Sequence, residues 1–334
     1  MQNSYICAMK KAVITLLIVC STLLWMGSCQ TSPKATQATP GTAISIPTFN
    51  ADSAYDYVSR QVAMGYRVPG SEAHKATARW LADELKRHNA EVICQEATVT
   101  AYDGTRLPMC NIIAQFAPEK SQRILLAAHW DSRPFADHDP LPENHRKPIA
   151  GANDGASGVG VLLEIARHLS QQPPRVGVDI ILFDAEDYGA PAWYDHDSDS
   201  WALGSQYWAS HPHKAGYTAR YGILLDMVGA TGAKFYREYY SDYYASQVVN
   251  KVWECAARKG YSSVFINARN GAITDDHINM NKAGIPSIDI IHIDPTTATG
   301  FFPQWHTVED NIQHIDATVL GAVGETVLTV IYEE

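Results

Sequence analysis

The sequence predicts a single α/β domain with a mixed, mostly parallel central sheet and helices on both of its faces. Short, almost uniformly apolar segments alternate with longer segments whose apolar residues repeat at helical spacing. Uniformly apolar strands are typical of a sheet that is covered on both sides. The turn pair Asp103-Gly104 between two strand-like segments predicts an antiparallel hairpin at one edge. No repeat or later linker divides residues 49–334, so one domain is expected.

In chain order, the first two elements are helices, Phe49–Met64 and Ser71–His88, because their apolar residues recur every three or four positions. Two strands of the hairpin follow, Glu91–Ala101 and Leu107–Phe116. Later segments are assigned by the same two patterns. The remaining strands are predicted at Arg123–Ala128, Val178–Phe183, Tyr221–Leu225 and Ser287–Ile293, and the remaining helices at Gly158–Leu169, Asp242–Lys259 and Asp316–Tyr332.

The first 29 residues are typical of a secretory signal rather than of folded structure. Lys10 and Lys11 precede the apolar run Ala12–Met26, which ends in Gly27-Ser28-Cys29. This ending resembles a bacterial lipobox, which predicts lipid attachment at Cys29; simple cleavage without a lipid is the alternative. Residues 30–48 are rich in Thr, Ala, Pro and Ser and are expected to form a flexible tether. We therefore expect export in a bacterium and a lipid-anchored location on the periplasmic side.

Charge and cysteine content narrow the possible partners. The chain has 26 Lys+Arg against 36 Asp+Glu, and this surplus of acid argues against nucleic-acid binding. Membrane contact is expected only through the N-terminal lipid, and a monomer is expected.

Outside the signal segment only three of the six cysteines remain, Cys94, Cys110 and Cys255. Cys94 and Cys110 lie on neighbouring predicted strands, and the sequence leaves open whether they pair.

Acidic and imidazole side chains come directly after the predicted buried strands or just before a predicted helix. Because ligands bind beyond the carboxyl ends of strands in such sheets, these side chains are expected to meet. Buried carboxylates repel one another unless a cation or proton neutralises them. His and carboxylate ligands without thiolate favour zinc. The segments are His129-Trp130-Asp131, Asn153-Asp154-Gly155, Asp184-Ala185-Glu186-Asp187, Asp226-Met227 and Trp305-His306-Thr307.

These segments resemble, in unbroken order, the zinc aminopeptidases of peptidase family M28 and the related animal-type glutaminyl cyclases. The resemblance implies the zinc-aminopeptidase-like α/β fold over residues 49–334. It leaves two activities open. One is cyclisation of N-terminal glutaminyl residues to pyroglutamate with release of ammonia; the other is release of N-terminal amino acids by a dinuclear aminopeptidase.

Three features of the resemblance favour the cyclase. Thr274-Asp275-Asp276-His277 is similar to the cyclase segment Q-D-D-H, Trp193 and Trp305 match pocket-wall positions, and Asp187 replaces a longer Glu. The implied single zinc ligands are Asp154, Asp187 and His306. An aminopeptidase would hold a second zinc with His129 and Asp226.

The cyclase resemblance also implies roles for other side chains. Glu186 is the expected general acid–base, sharing protons with Asp226 and Asp275. His129 is expected either to bind a second metal or to contact the ligands of the first metal, and Asp131 is expected to orient the His129 ring. Trp193, Trp305, Phe301 and Ile291 are expected to bind the glutaminyl side chain of a peptide or protein substrate.

Two residues that depart from the cyclase pattern and one acidic triplet complete the sequence predictions. Thr274 and Asp289 depart from the cyclase pattern, where many members have Gln and His. Asp137-His138-Asp139 is similar to a metal-binding triplet, but it follows no predicted strand directly. We therefore expect it to lie in a surface loop.

Overall fold

A computed structural model describes residues 45–195 and 199–334. The predicted signal segment and residues 30–44 of the tether lie outside this part of the chain. The strands are β1 (Glu91–Thr100), β2 (Arg106–Phe116), β3 (Arg123–His129), β4 (Gly177–Phe183), β5 (Gly222–Asp226), β6 (Phe235–Arg237), β7 (Phe265–Arg269) and β8 (Ser287–Ile291). The helices are α1 (Ala51–Ala63), α2 (Glu72–Arg87), α3 (Ala156–Gln171), α4 (Leu203–Ser210), α5 (Tyr239–Arg258), α6 (Asp276–Lys282) and α7 (Ala317–Tyr332).

The central sheet of the described chain has six strands in the order β1-β2-β4-β3-β5-β8. β1 pairs antiparallel with β2, and β2 pairs antiparallel with β4. The four strands β4, β3, β5 and β8 are mutually parallel, so their carboxyl ends lie along the same edge. The predicted mixed sheet with its hairpin at one edge is confirmed, and the parallel strands place their following loops together.

Helices cover both faces of this sheet. Ile124 and Leu126 of β3 pack on the face with α1, α3, α5 and α7, whereas Leu125 and Ala127 pack on the face with α4 and α6. Successive residues of a strand point to opposite faces, so a strand buried on both sides must be apolar throughout. That requirement explains why β3, β4, β5 and β8 are apolar over most of their length, although the buried residues Asp179 of β4 and Asp289 of β8 interrupt the pattern.

Local capping fixes where the helices begin. The side chains of Asn50 and Ser71 accept hydrogen bonds from the third residue along, at 3.1 Å in both cases. α5 begins three residues before the predicted start because Glu238 accepts from the N–H groups of Tyr240 and Ser241 at 2.9 and 2.6 Å. The helices α4 and α6 and the β6–β7 pair were not predicted from the sequence.

Two buried ionic groups lie away from the loops at the carboxyl edge. Arg123, at the start of β3, bonds Asp179 of β4 through Nε at 2.7 Å and Nη2 at 2.5 Å. Glu164 of α3 is fully buried and accepts from Arg167 at 2.5 and 2.8 Å and from His168 at 3.0 Å. Although burial opposes ionisation, these partners lower the pKa of Glu164 to about 2.

Two further observations bear on the sequence predictions. Cys94, Cys110 and Cys255 are free thiols, so the pairing left open for the first two is not made in this structure. Among the described residues, no helix has both the length and the apolarity needed to cross a membrane.

Candidate metal centre

The loops that follow the parallel strands bring the predicted site residues together. β3 ends at His129 and β5 at Asp226, while Glu186 and Asp187 lie in the loop after β4. Asp154 lies just before α3, and His306 comes from the long loop after β8. The side chains that were predicted to meet at the strand ends therefore lie at one edge of the sheet.

Asp154, Asp187 and His306 form the first candidate ligand group. Each offers one ligand atom, these atoms all lie within 4.8 Å of one another, and all three side chains are buried. His306 Nε2 lies 3.2 Å from Asp187 Oδ1 and 3.6 Å from Asp154 Oδ2. Tetrahedral zinc separates neighbouring N and O ligands by about 3.4 Å. Asp187 Oδ2 is buried without a hydrogen-bond partner among the described residues, so this group fits a divalent cation.

His129, Asp154 and Asp226 form a second group that shares Asp154 with the first. His129 Nε2 lies 3.0 Å from Asp154 Oδ1 and 3.2 Å from Asp226 Oδ1. Gly155 allows this approach, because a Cβ at that position would collide with the His129 ring. The structure therefore brings together the residues of both alternatives, one metal or two.

Asp131 connects His129 to the loop after β4. Its Oδ1 lies 3.4 Å from His129 Nδ1, and its two oxygens accept from the backbone N–H groups of Glu186 at 3.1 Å and Asp187 at 3.2 Å. One buried carboxylate thus contacts both the His129 ring and the backbone that carries Glu186 and Asp187.

The loop that carries Asp154 is held by groups from distant parts of the chain. Asp310 accepts from the N–H groups of Asn153 at 2.8 Å and Asp154 at 3.1 Å. The fully buried Arg67 donates to the carbonyl oxygens of Ala150 and Gly151, both at 2.7 Å. Gly151 has φ +59°, a conformation that favours glycine. Asp154 is therefore fixed at its backbone as well as by its side chain.

The centre holds more negative charge than its own histidines neutralise. Burial, reinforced by the charge of Asp154, raises the pKa of Asp187 to about 6. Burial also raises the pKa of Asp226 to about 7, where the charge of Asp275 adds to the effect and the hydrogen bond to His129 opposes it. Ionised carboxylates in such surroundings need a cation or shared protons.

A second cluster of acids lies beside the candidate ligands. Burial raises the pKa of Glu186 well above its usual range, and the charge of Asp275 adds to this although His129 opposes it. Asp275 and Asp289 are buried with His277, and their candidate ligand atoms lie within 4.8 Å of one another. Burial raises the pKa values of Asp275 and Asp289 as well. Neighbouring buried acids whose pKa values are raised in this way are the kind of groups that share protons.

A cavity of about 440 Å³ opens on the centre. It is bordered by Glu186, Asp226 and Asp275 as well as by the first ligand group. Its apolar walls are Trp201, Trp305, Phe301, Ile291 and Ile293. A larger cavity of about 820 Å³ between α2 and the β1–β2 hairpin contains none of these acids.

Trp193 does not line the cavity, so the prediction that it forms a pocket wall is wrong for this structure. Its side chain is 40% exposed and packs on Phe135 at 5.3 Å between ring centroids, under the guanidinium of Arg146 at 5.1 Å. The second indole of the cavity is Trp201, whose ring lies parallel to His306 at 5.9 Å. The resemblance pointed to Trp193, and nothing in its motifs singled out Trp201.

Asp137 is buried, so the prediction that Asp137-His138-Asp139 lies in a surface loop is wrong at Asp137. Only 6% of Asp137 is exposed, and its Oδ1 lies 3.5 Å from His306 Nδ1. Arg133, fully buried four residues earlier, bonds both of its oxygens. Sequence reasoning missed Arg133 and Asp137; the one available indication was the acidic triplet itself, which lay too far from a strand end to be chosen.

Comparison with known proteins places these observations in a family. The model of "Peptidase family M28" matches residues 111–331. Aminopeptidase YwaD of Bacillus subtilis (strain 168) is 30% identical over 259 residues, which cover 75% of this chain and 50% of that protein. The chain thus spans about half the length of that curated relative.

Two solved structures are more similar to this chain. A Zn-dependent exopeptidase from Parabacteroides distasonis ATCC 8503 has 56% identity and a TM-score of 0.86, covering 87% of this chain and 100% of that one. The glutaminyl cyclase of Tannerella forsythia has 56% identity and a TM-score of 0.85, covering 86% and 100%. The predicted resemblance to these two kinds of enzyme is confirmed.

Proposed function

We propose that this chain, which belongs to peptidase family M28, is a zinc-dependent glutaminyl-peptide cyclotransferase that converts N-terminal glutaminyl residues to pyroglutamate and releases ammonia. One observation carries this proposal. Glu186 lines a small, aromatic-walled cavity together with the three-residue ligand group and the additional buried acid Asp275. The similarity to a glutaminyl cyclase at 56% identity supports the same activity.

One zinc ion per chain is proposed, held by Asp154, Asp187 and His306. These ligand atoms lie close together and are buried, and their mixed N and O chemistry suits zinc. When bound, zinc supplies Lewis-acid polarisation of the substrate carbonyl. In this proposal His129 and Asp226 are linked by a hydrogen bond of 3.2 Å and do not hold a second ion.

The chain's own acids move the proton that the reaction must transfer. The α-amine of the substrate forms a bond to its own γ-carboxamide carbon, and the bond from that carbon to the amide nitrogen breaks. Glu186 takes the proton from the attacking amine and returns it to the departing ammonia. Burial, reinforced by the charges of Asp275 and Asp187, keeps the pKa of Glu186 high, which suits a group that must both accept and donate.

The cavity walls supply the orientation that an intramolecular attack needs. Trp305, Trp201 and Phe301 present aromatic surfaces around the space in front of Glu186, and Ile291 borders the same space. Holding the glutaminyl side chain folded back brings amine and carbonyl together, and such positioning contributes several kcal/mol to a reaction of this kind. Peptides and proteins that begin with Gln are the proposed substrates.

Location is proposed from the N-terminal sequence alone. Residues 1–29 carry the export signal and Cys29 the lipid, with residues 30–48 as tether. The protein would then lie on the periplasmic side of a bacterial membrane, attached only by that lipid. Replacing Cys29 with Ser should move the protein from the membrane fraction to the soluble fraction of lysed cells.

Aminopeptidase activity is the second candidate, because His129, Asp154 and Asp226 are placed as a second ligand group. A peptide with N-terminal Gln distinguishes the two activities in one incubation analysed by mass spectrometry. Cyclisation leaves the whole peptide minus one ammonia, whereas an aminopeptidase yields free glutamine and a peptide one residue shorter. A matching peptide with N-terminal Leu should remain intact; its cleavage would contradict the proposal.

A further inference from the structure

A buried carboxylate faces the nitrogen of His306 that points away from the candidate ligands. His306 Nε2 points to Asp187 and Asp154, while Nδ1 lies 3.5 Å from Asp137 Oδ1. Nδ1 is buried and makes no hydrogen bond within the described part of the chain. Asp137 is thus the carboxylate that lies beside this nitrogen.

Asp137 is itself held from two directions. Arg133 donates from Nε to Oδ1 and from Nη2 to Oδ2, both at 2.7 Å, and the N–H of Ala192 donates to Oδ2 at 2.9 Å. With both oxygens engaged in this way, the carboxylate cannot rotate freely. Because Arg133 occupies it as a two-pronged partner, Asp137 is suited to orienting the His306 ring rather than to binding a metal itself.

Arg133 also contacts a second ligand and a wall of the cavity. Its Nη1 donates to the carbonyl of Asp187 at 3.1 Å and lies 3.4 Å from Asp187 Oδ1. Its guanidinium lies 4.7 Å over the ring of Trp201, which is itself parallel to the His306 imidazole within 8°. A single buried cation therefore touches Asp137, Asp187 and Trp201.

We infer that Arg133 and Asp137 form a positioning pair that fixes the His306 ring with Nδ1 protonated, so that Nε2 is presented to the metal. The inference rests on the metal ligands of the proposed function but not on the reaction that the enzyme catalyses. A carboxylate behind a ligating histidine fixes its tautomer and raises its basicity. Neither residue touches the substrate in this scheme.

The first test measures zinc affinity in Asp137→Asn by competition with a chromophoric chelator. Loss of such an outer partner typically weakens metal binding by about 10–100-fold, and we expect a loss in this range. Asp179→Asn is the matched control, because it also breaks a buried Arg–Asp pair. That pair joins Asp179 to Arg123 near the starts of β4 and β3, whereas the metal centre lies at the carboxyl ends of these strands. Equal zinc affinity in the two folded variants would overturn the inference.

A second measurement needs no variant. Nitrogen-15 chemical shifts of His306 in the zinc-loaded wild-type protein should show a protonated Nδ1 and a metal-bound Nε2. A protonated Nε2 with metal at Nδ1 would overturn the inference whether or not the variants fold. Because inorganic zinc is the probe, a failure here is distinguishable from a failure of the cyclase assignment.

Discussion

Replacing Glu186 with Gln isolates proton transfer from metal binding. Glu186 borders the cavity but belongs to neither group of candidate ligands around Asp154. Glutamine has nearly the same shape and cannot accept and return a proton as a carboxylate does. Because the substitution removes a charge that burial makes costly, we also expect a higher melting temperature at neutral pH.

The size of the effect follows from that role. General acid–base catalysis by a positioned side chain contributes about 10²–10⁴-fold to rate, equivalent to about 3–5 kcal/mol of activation free energy. We expect kcat to fall by that factor while KM changes little, since Glu186 transfers a proton and does not form the apolar walls. Zinc content per chain should equal that of the wild type.

The assay measures ammonia release from a Gln-initiated peptide alongside zinc content by atomic absorption. Glu254→Gln on the exposed side of α5 is the matched control and should retain full activity. A Glu186→Gln protein that has lost its zinc would show that Glu186 is a ligand, and one that turns over normally would refute its role in proton transfer.

Four further substitutions extend these tests. In Asp275→Asn a charge that raises the pKa of Glu186 is removed, so the acid limb of kcat/KM should move to lower pH; an unchanged limb would contradict the shared-proton cluster. Trp201→Leu should raise KM by about tenfold, near 1.4 kcal/mol of binding, whereas Trp193→Leu should change it little, and the reverse order would contradict the cavity lining. The lowering of the Glu164 pKa from 4.5 to about 2 on folding contributes about 3 kcal/mol of stability at neutral pH, and this contribution is lost as pH falls from about 5 to 2. The deficit of Glu164→Gln in thermal unfolding should therefore shrink over that interval, and a constant deficit would contradict the linkage.

The strand-end residues could be predicted because their placement depends on topology alone. His129 and Asp226 are the last residues of β3 and β5, and Glu186 follows β4 after a short turn. Parallel neighbours place such positions at one edge whatever the details of packing. The sequence pattern therefore contained enough information to bring together these acids and imidazoles.

Residues on long loops could not be predicted in the same way. Trp193 and Trp201 both follow β4, and which indole reaches the cavity depends on a loop path that no periodicity specifies. Asp137 is buried in a pair with Arg133, whose guanidinium also lies over the ring of Trp201, and that pairing depends on tertiary packing. Short helices such as α4 and α6 provide too few turns for a clear periodic pattern.

Stepwise addition of zinc to metal-stripped protein, with ammonia release from a Gln-initiated peptide as readout, tests the central claim most directly. We predict that ammonia release reaches its maximum at one zinc ion per chain and that the product is the pyroglutamyl peptide. Maximal turnover only at two zinc ions per chain, with free glutamine as the product, would contradict the single-zinc cyclase.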